Sequence, residues 1–230
     1  MRFKFEFLVR VRRRAAAWAV TAAGIMLAIG SPAAEVTLPD VSLADASVVA
    51  EAPTPHLGEV REFIGRIATV DCQRWEVINL DHKGDLVSQC ANYKVYMTRA
   101  ESYNLHEVTG AQDKPAVVFE PAYPVVQFPL SIGKRWRKEY TGYFAIEGLR
   151  WDGDVKCEVA DFEDTTVAAG TYKAFRIECH DNWKVGPAAS SVDSTAWYAP
   201  AVGGVIKAIN YEDSHWNFEL KSVSPKSDKP

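Results

Sequence analysis

The hydrophobic residues of this chain fall mostly on every second position. Phe175, Ile177 and Cys179 alternate with Ala174, Arg176, Glu178 and His180, and Val155, Cys157 and Val159 alternate with Lys156 and Glu158. Trp136, Tyr140 and Phe144 share one face of a run whose other face carries Arg137, Glu139 and Thr141. A period of two is that of a strand with one buried face. The pattern predicts strands over 58–70, 70–78, 85–98, 134–144, 155–162, 173–182, 194–198, 204–211 and 216–222. No window holds a sustained apolar stripe of period 3.6, and the best helical window, 57–67, reads equally well as strand. Short strands with turn signals between them predict an all-β, antiparallel chain. One strongly curved sheet, a half-barrel or closed barrel, fits better than a sandwich. Residues 110–132 break the rhythm: Pro115, Pro121, Pro124 and Pro129 predict a long crossing loop.

The four cysteines sharpen this picture. Cys157 and Cys179 lie equally far from residue 168, inside a turn candidate where Gly170 tolerates positive φ. A hairpin centred there sets Cys157 opposite Cys179 and Val159 opposite Ile177. Cys72 and Cys90 likewise straddle Asp81, inside the polar stretch Asn79–Gly84, a register that sets Trp75 opposite Val87. Of the three possible pairings, strand register selects Cys72–Cys90 and Cys157–Cys179. Neither a zinc-type cysteine spacing nor a redox Cys-x-x-Cys occurs.

Charge divides the chain. The net charge is −4, yet residues 1–33 carry six basic residues and only Glu6 as an acid, a balance of +5 that leaves −9 on the remainder. The basic head is followed by an uncharged apolar run over 15–30 and by the small residues Ser31, Ala33 and Ala34. These are the three parts of a secretory signal peptide, with cleavage expected after Ala33 and no transmembrane span left afterwards. Residues 34–57 have four acids and no Lys or Arg, which predicts a flexible acidic leader; a β-domain over 58–223 and a disordered tail over 224–230 complete the division. Export to the periplasm, or secretion, places the cysteines where disulfides persist. An acidic domain lacks the clustered Lys and Arg that nucleic acid requires.

The candidate chemistry is sparse. His56, His82, His106, His180 and His215 form no metal-binding spacing, and no nucleophile elbow, phosphate loop or dinucleotide fingerprint occurs, so no metal or cofactor is expected. Cys179, His180 and Asp181 are adjacent in a strand, where neighbours point to opposite faces, so they cannot readily act as nucleophile and base. Asp161 and Glu163 share a strand face near a turn, where solvated charges are the plain expectation. The basic run Lys134–Lys138 could dock an anionic lipid or polymer, but alternation splits it, with Arg135 and Arg137 on one face and Lys134 and Lys138 on the other. The reading preferred is a solvated strand flank. Trp75, Trp136, Trp151, Trp183, Trp197 and Trp216 either fill a β core or line a ligand groove.

Three segments carry a resemblance: Phe128-Pro-Leu-Ser-Ile-Gly-Lys-Arg-Trp136, Thr166-Val-Ala-Ala-Gly-Thr-Tyr-Lys-Ala-Phe175 and Ala196-Trp-Tyr-Ala-Pro-Ala-Val-Gly-Gly-Val-Ile-Lys207. Their order and spacing resemble a group of exported bacterial β-rich proteins of unknown function. The resemblance implies an envelope location and a curved antiparallel sheet, loosely like the half-barrel of periplasmic lipoprotein carriers, and it supplies no catalytic residues.

The expectation is therefore a periplasmic β-domain that binds, without catalysis, an apolar or glycan ligand or an envelope protein. Trp136, Tyr140, Trp197 and Tyr198 are its candidate ligand-binding residues. The alternatives are an envelope hydrolase with a dispersed site and a purely structural interaction module.

Overall fold

The computed structural model describes residues 48–224, apart from 68, 69, 71, 81–84, 146 and 147. Among them, twelve strands follow one another: β1 (Val60–Gly65), β2 (Arg74–Leu80), β3 (Leu86–Cys90), β4 (Tyr93–Thr98), β5 (Asn104–Thr109), β6 (Pro115–Tyr123), β7 (Arg135–Phe144), β8 (Leu149–Val167), β9 (Gly170–Val185), β10 (Ala188–Ala199), β11 (Gly204–Asn210) and β12 (Phe218–Ser224). Each is antiparallel to its neighbours in sequence, and β1 pairs with β12, Val60 facing Ser224 and Phe63 facing Leu220. The curved sheet is thus a closed barrel in which each of these strands has a neighbour on both sides. The expected signal segment, most of the acidic leader and the tail beyond Ser224 lie outside the described residues. Ala50, near the end of that leader, is buried and exchanges two backbone hydrogen bonds with Leu130, at 2.9 and 2.8 Å.

The longest hairpin is β8–β9. Cys157 faces Cys179 and Val159 faces Ile177, as the cysteine spacing predicts, and the Cys157–Cys179 disulfide joins directly opposed residues 4.1 Å apart at Cα. A bulge between Val159 and Asp161 then shifts the ladder by one residue. The turn falls at Ala168-Ala169, with Gly170 at φ 132°.

Two expectations need correction. Cys72 and Cys90 are bonded, but Val87 faces Asn79 rather than Trp75. The polar stretch from Asn79 does not open the turn: β2 runs on to Leu80, a bulge interrupts it between Val77 and Asn79, and Cys72 lies ahead of the strand. The crossing loop over 110–132 is also too long, since Pro115–Tyr123 is β6 and pairs with both β5 and β7. Pro115 opens that strand, and Pro121 sits where the β5 ladder jumps from Val118 to Tyr123, both places where a missing N–H is tolerated.

The buried side chains form two clusters. One gathers Phe63, Trp75, Val95, Val108, Phe119, Tyr140, Ile206 and Leu220 from around the barrel. The other packs Val155, Cys157, Val159, Phe175, Ile177, Cys179 and Tyr198 of β8–β10 against Trp136, Ala50 and the β6–β7 connection at Val126 and Leu130. Asn104 on β5 clamps that connection: its amide donates to the Val126 carbonyl at 2.7 Å and accepts from the Val126 N–H at 2.9 Å. Between β7 and β8, Tyr140 faces Gly153 and Gly142 faces Trp151. Each ring lies over the opposing glycine so closely that a methyl group there would overlap it.

Candidate functional site

Strands β7 to β10 lie side by side, so alternation separates their side chains into two layers. Trp136, Cys157 and Cys179 turn inward and are buried. Their alternates turn outward and line a groove of about 780 Å³. Cross-strand register orders this outer layer into two rows. One row is Arg135, Glu158, Glu178 and Thr195. The next is Arg137, Lys156, His180 and Asp193. Tyr211 closes one end, with its backbone N–H on the Asp193 carbonyl at 3.0 Å and its hydroxyl 3.1 Å from Thr195 Oγ1. It remains 64% exposed.

Ion pairs knit these rows together. Arg135 donates to Glu158 at 2.9 Å, and Arg176 pairs with Glu178. Arg137 grips Asp154 through two bonds, at 2.7 and 2.6 Å. His180 Nδ1 lies 2.7 Å from Asp193 Oδ1. Hydrogen bonds from the arginines hold the Glu158 and Asp154 carboxyls below their usual range, and the Asp193 carboxylate holds the His180 imidazole above its own. These side chains keep between 26% and 74% of their surface exposed, so each pair is worth little to stability.

The opposite face of the same strands carries a buried carboxyl. Asp181 is 3% exposed. Its Oδ2 accepts hydrogen bonds from Tyr140 at 2.6 Å and Tyr123 at 3.1 Å, while Oδ1 has no hydrogen-bond partner. Phe119, Tyr123, Tyr140 and Trp151 stack around one another beside it. Burial raises the Asp181 carboxyl above its usual range, and the two tyrosine hydroxyls partly offset this by stabilising the anion. The neighbours Cys179, His180 and Asp181 therefore have separate tasks: a disulfide, an outward ion pair and an inward hydrogen-bond centre. Among the described residues, no three His, Cys, Asp or Glu side chains are grouped as metal ligands would be.

The aromatic residues singled out from the sequence do not converge. Trp136 borders the groove, but the residue is 8% exposed and its indole N–H donates to the Pro124 carbonyl at 3.0 Å. Tyr198 packs edge-on against Phe128 in the same cluster. Tyr140 and Trp197 belong to the other cluster; Trp197 donates to Glu163 Oε1 at 2.8 Å, and Lys207 lies over its ring. The basic run divides as alternation requires: Arg135 and Arg137 line the groove, while Lys134 donates to the carbonyls of Gln127 and Pro129. Sequence reasoning weighed His180 only as a catalytic base and set it aside, and it gave Lys156, Asp193 and Tyr211 no role. The cysteine register itself places Lys156 opposite His180, so half of the row was derivable; the partners on β7 and β10 were not.

No protein-family model matches this sequence, and no curated protein does. Solved structures are similar in fold. The Escherichia coli hypothetical lipoprotein YmcC aligns at a TM-score of 0.50 and 10% identity, over 76% of this chain and 91% of its own. A provisionally named lipoprotein of Parabacteroides distasonis aligns at 0.44 and 14% identity, over 76% and 99%. A provisionally named exported protein of Bacteroides fragilis, described as having a YmcC-like fold, aligns at 0.44 and 12%, over 76% and 100%.

Proposed function

We propose that this chain is an exported binding module of the bacterial envelope that takes a glycan in the groove on the outer face of β7–β10. The groove carries this reading. Its volume of about 780 Å³ lies within the range of small-ligand sites, roughly 300–1,000 Å³. Its walls present charged and hydroxyl groups on a rigid, disulfide-braced sheet, and Tyr211 offers an open ring at the rim. Hydroxyl-rich ligands are recognised by such polar groups together with a flat aromatic surface. The first cluster gathers buried side chains from around the barrel, which favours the outer face as the place of contact. Trp136 and Tyr198 then support the groove from behind. Export is supported by the signal-like leader, by the two disulfides and by the likeness in fold to YmcC.

The test is a titration of isotope-labelled protein with defined envelope oligosaccharides, followed by amide shifts in two-dimensional NMR. Saturable shifts confined to β7–β10 and Tyr211 are expected. Shifts confined to the barrel interior, or none with any glycan, would overturn the reading.

A further inference from the structure

Building on that groove as the binding site, we infer that its ligand is an acidic glycan, held at a cationic centre formed by Arg137, Lys156 and His180. The register sets these three residues directly opposite one another on three adjacent strands, Arg137 against Lys156 and Lys156 against His180. Like charges in directly opposed positions weaken a sheet, so such a row calls for compensation. The neighbouring row meets the same problem with arginines: Glu158 and Glu178 also face each other, Glu158 pairs with Arg135, and Glu178 pairs with Arg176, which it shares with Asp161 and Glu163. The cationic row is compensated only at its ends. Asp154 accepts from Nε and Nη2 of Arg137, and Asp193 is bound to His180. Lys156 stands between them, exposed, and forms no ion pair with any described residue. The carboxylates nearest it along its own strand, Asp154 and Glu158, are both engaged by arginines. One cation is left over in the middle of the groove, on a domain whose overall balance is strongly acidic. A sugar carboxylate placed over Lys156 completes the row, with the Arg137 and His180 N–H groups to either side.

The geometry also sets a pH dependence. His180 faces Lys156 on β8 and Asp193 on β10, with Glu178 and Asn182 flanking it on its own strand. Asp193 keeps the imidazole charged to higher pH than usual, and loss of that proton removes one of the three cations. Affinity for an acidic sugar therefore falls as pH rises through the His180 titration.

The experiment is calorimetric titration of the full exported chain with two sugars of equal length, trigalacturonate, which is acidic, and maltotriose, which is neutral. Trigalacturonate is expected to bind several-fold more tightly, to weaken with added salt, and to lose about threefold to fivefold in affinity in Lys156→Gln, as one exposed charge pair allows. Lys156→Glu should lose more. Both substitutions are on the surface, and circular dichroism verifies that the barrel is intact. Equal binding of the two sugars overturns the acidic preference and leaves the groove reading standing. Tight trigalacturonate binding that Lys156→Glu does not change overturns the assignment to this row. Failure of both sugars to bind counts against the groove itself.

Discussion

The buried carboxyl of Asp181 offers the sharpest test of how this barrel is held together. Tyr140→Phe deletes one hydroxyl and keeps the ring, so the packing over Gly153 and against Phe119 and Tyr123 persists. The lost interaction is the 2.6 Å bond to Asp181 Oδ2, leaving Tyr123 as the donor there. A hydrogen bond to a charged group is worth about 1.5–3 kcal/mol. For a domain of this size, each kcal/mol moves Tm by about 2–4 °C, so a fall of about 3–12 °C is expected. The sign of the pH dependence follows from burial. Asp181 has a raised folded-state pKa, so its contribution is fully present below the ordinary carboxylate range and is lost as pH rises through the raised value. Removing the Tyr140 hydroxyl removes a group that stabilises the anion and raises the carboxyl further. The deficit of the variant is therefore largest at neutral pH and shrinks in acid. Urea or thermal melts of both proteins across that interval measure it. A companion variant, Tyr123→Phe with Tyr140→Phe and Asp181→Leu, replaces the whole centre by apolar groups and should recover much of the loss. Tyr140→Phe within about 0.5 kcal/mol of the wild type at neutral pH, or a deficit that grows in acid, would refute the reasoning.

Gly153→Ala places a methyl group inside the Tyr140 ring, an overpacking expected to cost about 1–3 kcal/mol in melts, with a change in near-ultraviolet circular dichroism. Asn104→Ala leaves the Val126 N–H and carbonyl without their side-chain partners; about 2–4 kcal/mol should be lost, and hydrogen exchange at Val126 should speed up. Replacing Cys157 and Cys179 together by Ala should cost about 3 kcal/mol. Peptide mapping of the unreduced wild type should yield the Cys72–Cys90 and Cys157–Cys179 links and no other.

How much could be read beforehand depended on whether a local signal fixed the register. In β8–β9 the apolar alternation, the two cysteines and Gly170 agree, so pairing could be derived residue by residue. In β2–β3 the same midpoint argument gave the right disulfide and the wrong ladder. A disulfide needs only that two Cβ atoms come close, and Cys72 does so from outside the strand. β6 was hidden because prolines normally mark loops, whereas here they occupy its first position and a break in its ladder. The groove was hidden for a different reason. Its residues are ordinary exposed charges, and their arrangement comes from neighbours across β7–β8 and β9–β10, whose registers no cysteine or turn announces. A closed barrel was one of the expected forms, but which strands close it was not legible, because the pairing of β1 with β12 joins opposite ends of the domain.

That last pairing governs the order in which the molecule can be completed. A chain that emerges amino-terminus first delivers β1 long before β12. Until Phe218–Ser224 emerges, β1 has one neighbour in β2 and an open row of backbone donors and acceptors on its other side. Every other ladder joins strands consecutive in sequence and can form as they appear. The final seam carries the largest loop-closure cost and the longest sequence separation, so it is expected to form last. During that interval the exposed β1 edge is the segment most open to pairing with another copy of the chain.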